Sequence, residues 1–298
     1  TPLAALLSYV GGGWLNARYG WRMTFFIMGV PGLLLALIVR MTIKDLRHTT
    51  PGAARPPPPL AEVLRTLWQQ RSTRHLSIAL ILLYTLGAGV SPWYAAFLIR
   101  SHSMTTAEVG VWLGLVFGVI GAAGVLLGGY VAGHWLAEDE RGQMRLTALT
   151  TASLVPCFAL FLLLPSTRGA IFAMVPLVIV FNFFFGPTFA LMQRLVVDEM
   201  RATTVAIVML LVNLIGMGIG PQIIGVLSDL LRPALGDNSL RYAILIESLV
   251  AFWSAFHFWR VGKTVKEDLE LAARIQVKPS PRIVADLHEA EWKAITSK

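Results

Sequence analysis

Of the 17 acidic residues in this 298-residue chain, Glu247 alone falls clearly inside an apolar stretch, Leu240–Val261. Keeping a carboxyl charged in such a setting is costly, so its first reading is a protonatable or cation-pairing group. A plainer reading stands beside it: a scaffold carboxylate near the outer membrane face, reached by water or by Arg241. A second set comprises polar and aromatic residues in other apolar stretches: Tyr84, Trp93, Tyr94, Asn182, Gln193 and Asn213. An amide there needs a partner, which is substrate, water or another helix. Asn213 adjoins a glycine-rich run and equally suits helix bridging. Tyr84 suits ordinary packing, and Trp93 and Tyr94 suit an interfacial aromatic belt.

The sequence offers no catalytic set. His134 and His257 lie near the ends of apolar stretches with no partner in reach by sequence, and none of the six histidines has a partner at metal-ligand spacing. No metal site and no cofactor is expected. Cys157, the single cysteine, reads as a small buried hydrophobe. Gly216-Met217-Gly218-Ile219-Gly220-Pro221 has the outline of a nucleotide loop. It lacks the preceding strand and the Lys-Ser/Thr that phosphate binding requires. These glycines, with Pro221, Gly13 and Pro31, are expected to govern helix packing and gating.

The elements that must position these residues follow from hydropathy. The chain is 55% hydrophobic and 14% charged, where a soluble domain is about 25% charged. Residues 76–98, 109–131 and 202–227 carry no Lys, Arg, Asp or Glu. Each exceeds the roughly 20 residues that cross a hydrocarbon core as a helix. The sequence predicts an all-α polytopic bundle of about eight transmembrane spans, near residues 2–17, 21–41, 76–99, 107–133, 146–164, 170–195, 202–230 and 240–261. Helices are required because a span in lipid must satisfy its own backbone groups.

The net charge of +8 reads as membrane orientation and not as nucleic-acid binding. The 40–74 connection, the 134–145 and 194–201 turns and the tail from Arg260 hold 19 of the 25 basic residues. That face, and with it the C-terminus, is expected to be cytoplasmic. The chain opens at Thr1 inside an apolar segment with no charged leader, which suggests a missing N-terminus. Between residues 51 and 59 the connection is proline-rich and extended. Leu60, Val63, Leu64, Leu67 and Trp68 then mark one face of a short amphipathic helix, expected on the membrane surface, with partner binding as the alternative.

Three patterns resemble the major facilitator superfamily, and within it the Spinster-like branch. Gly11-Gly12-Gly13-Trp14-Leu15 through Tyr19-Gly20-Trp21-Arg22 to Gly29-Val30-Pro31-Gly32 looks like the family's fifth and sixth helices. Met200-Arg201-Ala202, Asn213-Leu214-Ile215-Gly216 and Gly225-Val226-Leu227-Ser228-Asp229 look like its tenth-to-eleventh turn and eleventh helix. Gly128-Gly129-Tyr130 with Arg141-Gly142 is similar to the loop between helices eight and nine. There the superfamily carries an aspartate soon after its glycine. This chain has Gly133-His134, with Glu138, Asp139 and Glu140 following.

The resemblance covers residues 1 to about 262 and implies an incomplete fold holding helices five to twelve. Residues 1–45 would close the N-terminal half, 46–75 form the linker, 76–262 the C-terminal half and 263–298 a cytoplasmic tail. It implies a secondary transporter of the alternating-access type that moves a small organic or amphipathic solute, with proton coupling open. The third, fourth, sixth and seventh spans would line the cavity, which makes the second set of residues above its candidates. The localisation expected is a plasma membrane, and the partners are lipid and a small-molecule substrate, with protons left open. The chain by itself is not expected to transport. The rival reading is a non-transporting eight-helix scaffold or a membrane enzyme.

Overall fold

The computed structural model describes residues 4, 6–42 and 58–277, and the proline run at 51–57 and the tail from 278 lie outside them. Among the described residues the chain is helical, with no strand. The helices are α1 (Gly12–Thr42), α2 (Leu60–Gln69), α3 (Arg71–Val90), α4 (Trp93–His102), α5 (Thr106–Leu115), α6 (Gly121–Tyr130), α7 (Glu140–Leu163), α8 (Thr167–Phe183), α9 (Phe185–Arg194), α10 (Arg201–Leu211), α11 (Gly218–Leu235), α12 (Ser239–Ser248) and α13 (Val250–Val277). Wider π-helical turns occupy Leu7–Gly11, Val116–Ile120, Val131–Trp135 and Val212–Met217.

Among the described residues, six helical stretches are long and apolar enough to cross a membrane. The expected bundle of about eight spans agrees with this, because two of the six are too long to be single crossings. Leu7–Thr42 breaks at Gly20, whose φ of 76° and ψ of 166° no helix contains. Asp198–Arg274 breaks at Gly236, with φ 52°, and α12 packs back along α11. A left-handed φ is cheap only for glycine, so these positions separate one crossing from the next.

Several hydroxyls inside the helices bond to their own backbone, which satisfies them in a low-dielectric setting. Thr85 Oγ1 donates to Ile81 O at 2.8 Å, Thr147 Oγ1 to Gln143 O at 2.8 Å and Thr188 Oγ1 to Phe184 O at 2.6 Å. Helix starts are closed by local side chains where these are available. Thr105 and Glu108 form a reciprocal capping box at α5. Helix α3 has no such residue, since Gln70 makes no side-chain cap. Its free amide at Ser72 donates instead to Asp268 Oδ2 of α13, 2.7 Å away.

The core lies between α3, α7, α8 and α13, filled by fully buried Phe97, Phe158, Phe161 and Phe258 among leucines. Helix α1 stands apart from it. Apart from Leu15 its apolar residues are exposed, Phe25 and Leu33 each at 75%. Its preceding π-turn seats Leu6, Tyr9 and Val10 against Gly118, Gly110 and Gly114 of the fourth span. Small residues at such a seam let helices meet closely, which substitutes for the hydrophobic drive that lipid removes.

Helix α2 turns Val63 inward against Val196 and Met200, while Leu60, Leu64 and Trp68 stay exposed. One edge of its apolar face is docked on the bundle, and the rest is left outward.

Candidate functional site

Four spans are interrupted partway along. The third span breaks at Ser91 and Pro92 between α3 and α4, and the sixth at Phe184 between α8 and α9. The fourth and seventh carry the π-turns Val116–Ile120 and Val212–Met217. Each break releases backbone groups from the helical ladder, and such irregularities concentrate where membrane proteins bind or bend.

Tyr84 is the hub. Its half-buried ring meets Phe184 at 5.7 Å and Phe185 at 6.0 Å, both edge-on. Phe181 and Phe189 extend this cluster, with Phe184 and Phe185 stacked 4.5 Å apart. Gly216 lies directly on the backbone of Tyr84 and Thr85. Across the wall, Tyr94 reaches Phe117 of the fourth span at 5.2 Å, and Gly121 faces the Asn182 amide. The result is an aromatic wall with sparse polar groups, the usual chemistry of a small-molecule site.

The six sequence-nominated residues divide. Tyr84 meets the sixth span at its break, and Asn182 lies two residues before that break, where its Nδ2 donates to Val178 O of its own helix at 2.8 Å. Trp93 Nε1 donates to Pro221 O at 3.2 Å, tying α4 to α11. Tyr94 is buried between Phe117 and Phe161. Asn213 is exposed, and its amide donates to Met209 O within its own helix. Gln193 lies exposed near the basic end, where its carbonyl accepts from Arg201 Nε.

Glu247 is 3% exposed, and neither of its oxygens has a hydrogen-bond partner. Arg241 does not serve it, because the guanidinium lies over Phe97, 5.9 Å from the ring centroid. His102 shares that corner, outside the spans, where burial and then Arg241 hold its imidazole below the ordinary range.

The glycines separate by environment. A Cβ on Gly220 would lie 2.7 Å from Thr85 O and 2.9 Å from Gly89 Cα, and one on Gly216 3.3 Å from Thr85 N. Gly218 and Gly13 face open space. The α3–α11 crossing is therefore backbone against backbone. Pro31 sits inside α1, and Pro221 follows Gly220 in α11.

Several features escaped sequence reasoning. His257 does have a partner: its Nδ1 is 2.8 Å from Nδ1 of His75, across the α3–α13 seam. These residues are 182 positions apart, so no spacing rule would join them. His134 stacks on Tyr130 at 5.0 Å. The Phe181–Phe185 cluster had a visible signal, an aromatic run just before Gly186-Pro187. At the basic end, Arg194 pairs with Glu140 at 2.7 Å, joining the sixth span to the start of α7. The carboxylate of that loop comes from the later acidic run, not from beside Gly133.

A family model for the Major Facilitator Superfamily matches residues 1–270. The chain belongs to the major facilitator superfamily. It is 29% identical over 274 residues to an MFS-type efflux pump of Mycolicibacterium smegmatis, which covers 92% of this chain and 63% of that protein. Its fold matches a crystal structure of a bacterial homolog to the human lysosomal transporter Spinster, inward-facing and unoccupied. The TM-score is 0.68 at 22% identity, covering 88% of this chain and 64% of the other. The occupied form of that homolog matches with a TM-score of 0.63. The chain thus spans less than two thirds of the length of these relatives. As a member of this superfamily, the described bundle is a multi-pass membrane protein surrounded by lipid.

Proposed function

We propose that this chain forms the larger part of an alternating-access transporter for a small amphipathic solute, with its C-terminus cytoplasmic in a bacterial plasma membrane. The observation that carries the reading is the contact of Tyr84 with Phe184 and Phe185 at the break in the sixth span, near Asn182. Aromatic faces accept apolar bodies of varied shape, while one hydroxyl and one amide provide orientation. The backbone-to-backbone crossing at Gly216 and Gly220 supplies a place where the wall can bend. The efflux-pump relative supports outward movement, and the count of basic residues supports the orientation. Residues 1–45 would then close the N-terminal half, with 76–262 as the C-terminal half.

The test uses the full-length protein in an efflux-deficient bacterium. Gradient-dependent extrusion is measured for ethidium, an amphipathic cation, and for a lysophospholipid, an anionic or zwitterionic amphipath. Tyr84→Ala is expected to cut the initial rate about tenfold, the worth of one aromatic contact of about 1.4 kcal/mol. Undiminished rates in Tyr84→Ala, or no gradient-dependent flux of either probe, would count against the proposal. The 298-residue chain alone is expected to show no saturable flux in liposomes.

A further inference from the structure

At the basic end of the bundle, α2, α13 and the turn after the sixth span enclose a cavity of about 490 Å³. Helix α2 contributes Glu62, α13 contributes Glu267 and Leu271, and the turn contributes Val196 and Met200. The volume falls within the range of small-molecule sites, roughly 300–1,000 Å³. Gln70, at the start of α3, also lines it. Tyr84 stands about 20 Å farther along that helix, so this cavity is separate from the aromatic wall within the spans.

Its frame is held by groups that are already engaged. Gln70 Nε2 donates to Leu195 O at 3.1 Å and to Asp268 O at 3.4 Å, and Gln70 Oε1 accepts from Thr73 Oγ1 at 2.6 Å. Asp268 Oδ2 accepts from Ser72 N at 2.7 Å, and Val63 anchors α2 on Val196 and Met200. A cavity framed in this way is preorganised, so a ligand need not order it. Two carboxylates in the lining have no such duty. Neither Glu62 nor Glu267 uses its side chain in a hydrogen bond or an ion pair among the described residues.

The lining selects a cation with an apolar body. Glu62, Glu267 and Asp268 face a single basic residue of the lining, Arg71, so the balance is negative. A bare metal ion is poorly served, because among the described residues no three His, Cys, Asp or Glu side chains are grouped to hold one. Val196 and Met200 give the cavity an apolar surface, and Leu271, 52% exposed, leaves more of it uncovered. An ammonium group brings three donors to the carboxylates. A hydrocarbon or aromatic body attached to it removes the apolar surface from water.

We propose that this cavity binds a small organic ammonium ion with an apolar body, held between Glu62 of α2 and Glu267 of α13. A ligand engaged by both acids fastens the linker helix to α13, adding a tie to the one that Gln70 makes through the Asp268 carbonyl. The site is independent of the transport reading and stands whether or not the spans carry an amphipath.

The experiment takes the full-length protein in dodecylmaltoside with dansylcadaverine, a primary ammonium on an aromatic body. Energy transfer from tryptophan to the dansyl group should rise to saturation. The N-acetyl derivative, which has no charge, should give only the unsaturable background. Glu62→Gln and Glu267→Gln, nearly isosteric changes at exposed positions, should each weaken binding about fourfold, and the double variant about fifteenfold. Tyr84→Ala should leave the affinity unchanged. Hydrogen exchange over residues 60–69 should slow when the probe saturates. Absence of saturable transfer, equal binding of the N-acetyl derivative, full affinity in the double variant or unaltered exchange in α2 overturns the proposal. Loss of binding in Tyr84→Ala would place the probe in the spans and overturn it as well. So would binding that emerges only when residues 278–298 are deleted, since the occupant would then be the chain's own tail.

Discussion

The two ends of α3 are held by opposite means. At the basic end, against α13, the contacts are directional. Asp268 Oδ2 accepts from Ser72 N at 2.7 Å, Ser72 Oγ and Thr264 Oγ1 are 2.7 Å apart, the His75 and His257 rings share a hydrogen bond, and Ser254 Oγ donates to Ala79 O at 2.8 Å. At the other end, against α11, Gly89, Gly216 and Gly220 bring backbones together, and Trp93 to Pro221 O is a lone cross-helix hydrogen bond between the two spans. Hydrogen bonds within a membrane fix both distance and register. Glycine faces fix distance alone, because no side chain interlocks. The first end is a joint that holds one arrangement, and the second tolerates sliding and bending.

The most forceful way to break this contrast is to place a side chain in the glycine seam. Gly220→Leu should destabilise the bundle by about 3 kcal/mol, since even its Cβ would be 2.7 Å from Thr85 O. Gly218→Leu, two residues away in open space, should stay within about 0.5 kcal/mol. Thermal unfolding in detergent, followed by tryptophan fluorescence, ranks the pair. Equal effects would mean that bulk, and not the crossing, matters.

A milder change addresses the fixed end. Asp268→Ala removes the acceptor that caps α3 and should cost about 1 kcal/mol. Hydrogen exchange at Ser72 should accelerate, while the amides near Gly89 keep their protection. Spread of exchange to Gly89 would show that the two ends are not independent.

The smallest effect concerns His102, beyond the α3–α4 break. Its pKa is lowered from 6.5 by burial and by Arg241, so the unfolded chain takes up a proton before the folded one does. Stability is then full above about 6.5 and falls as pH drops through that value. His102→Phe should flatten the acid limb of a stability–pH curve. An unchanged limb would assign it to other groups.

The spans were legible because a charge-free run of more than 20 residues has few alternatives, and Gly20 and Gly236 mark breaks that hydropathy also indicates. Tyr84 and Asn182 were legible as polar groups in apolar helices. Their company was not: Phe184 and Phe185 meet Tyr84 from a helix 100 positions away, a contact that no spacing rule supplies. The same limit hid the His75–His257 pair and the Asp268 cap, which join positions 182 and 196 apart. It also hid which glycines matter. Gly216, Gly218 and Gly220 look alike in sequence, yet a helix turns 100° per residue and aims Gly218 away from the seam.

One further trait of α13 has a mechanical meaning. The helix continues without a break from Val250 to Val277, so its last 16 residues run about 24 Å past Val261 as one stiff rod, docked on the start of α3 through Thr264 and Asp268. A pointer of that length magnifies small rotations: a tilt of about 15° at its root would sweep the tip through about 6 Å. A fluorophore on the outward-facing Leu271 would thus read, from water, tilts too slight to see at the span itself.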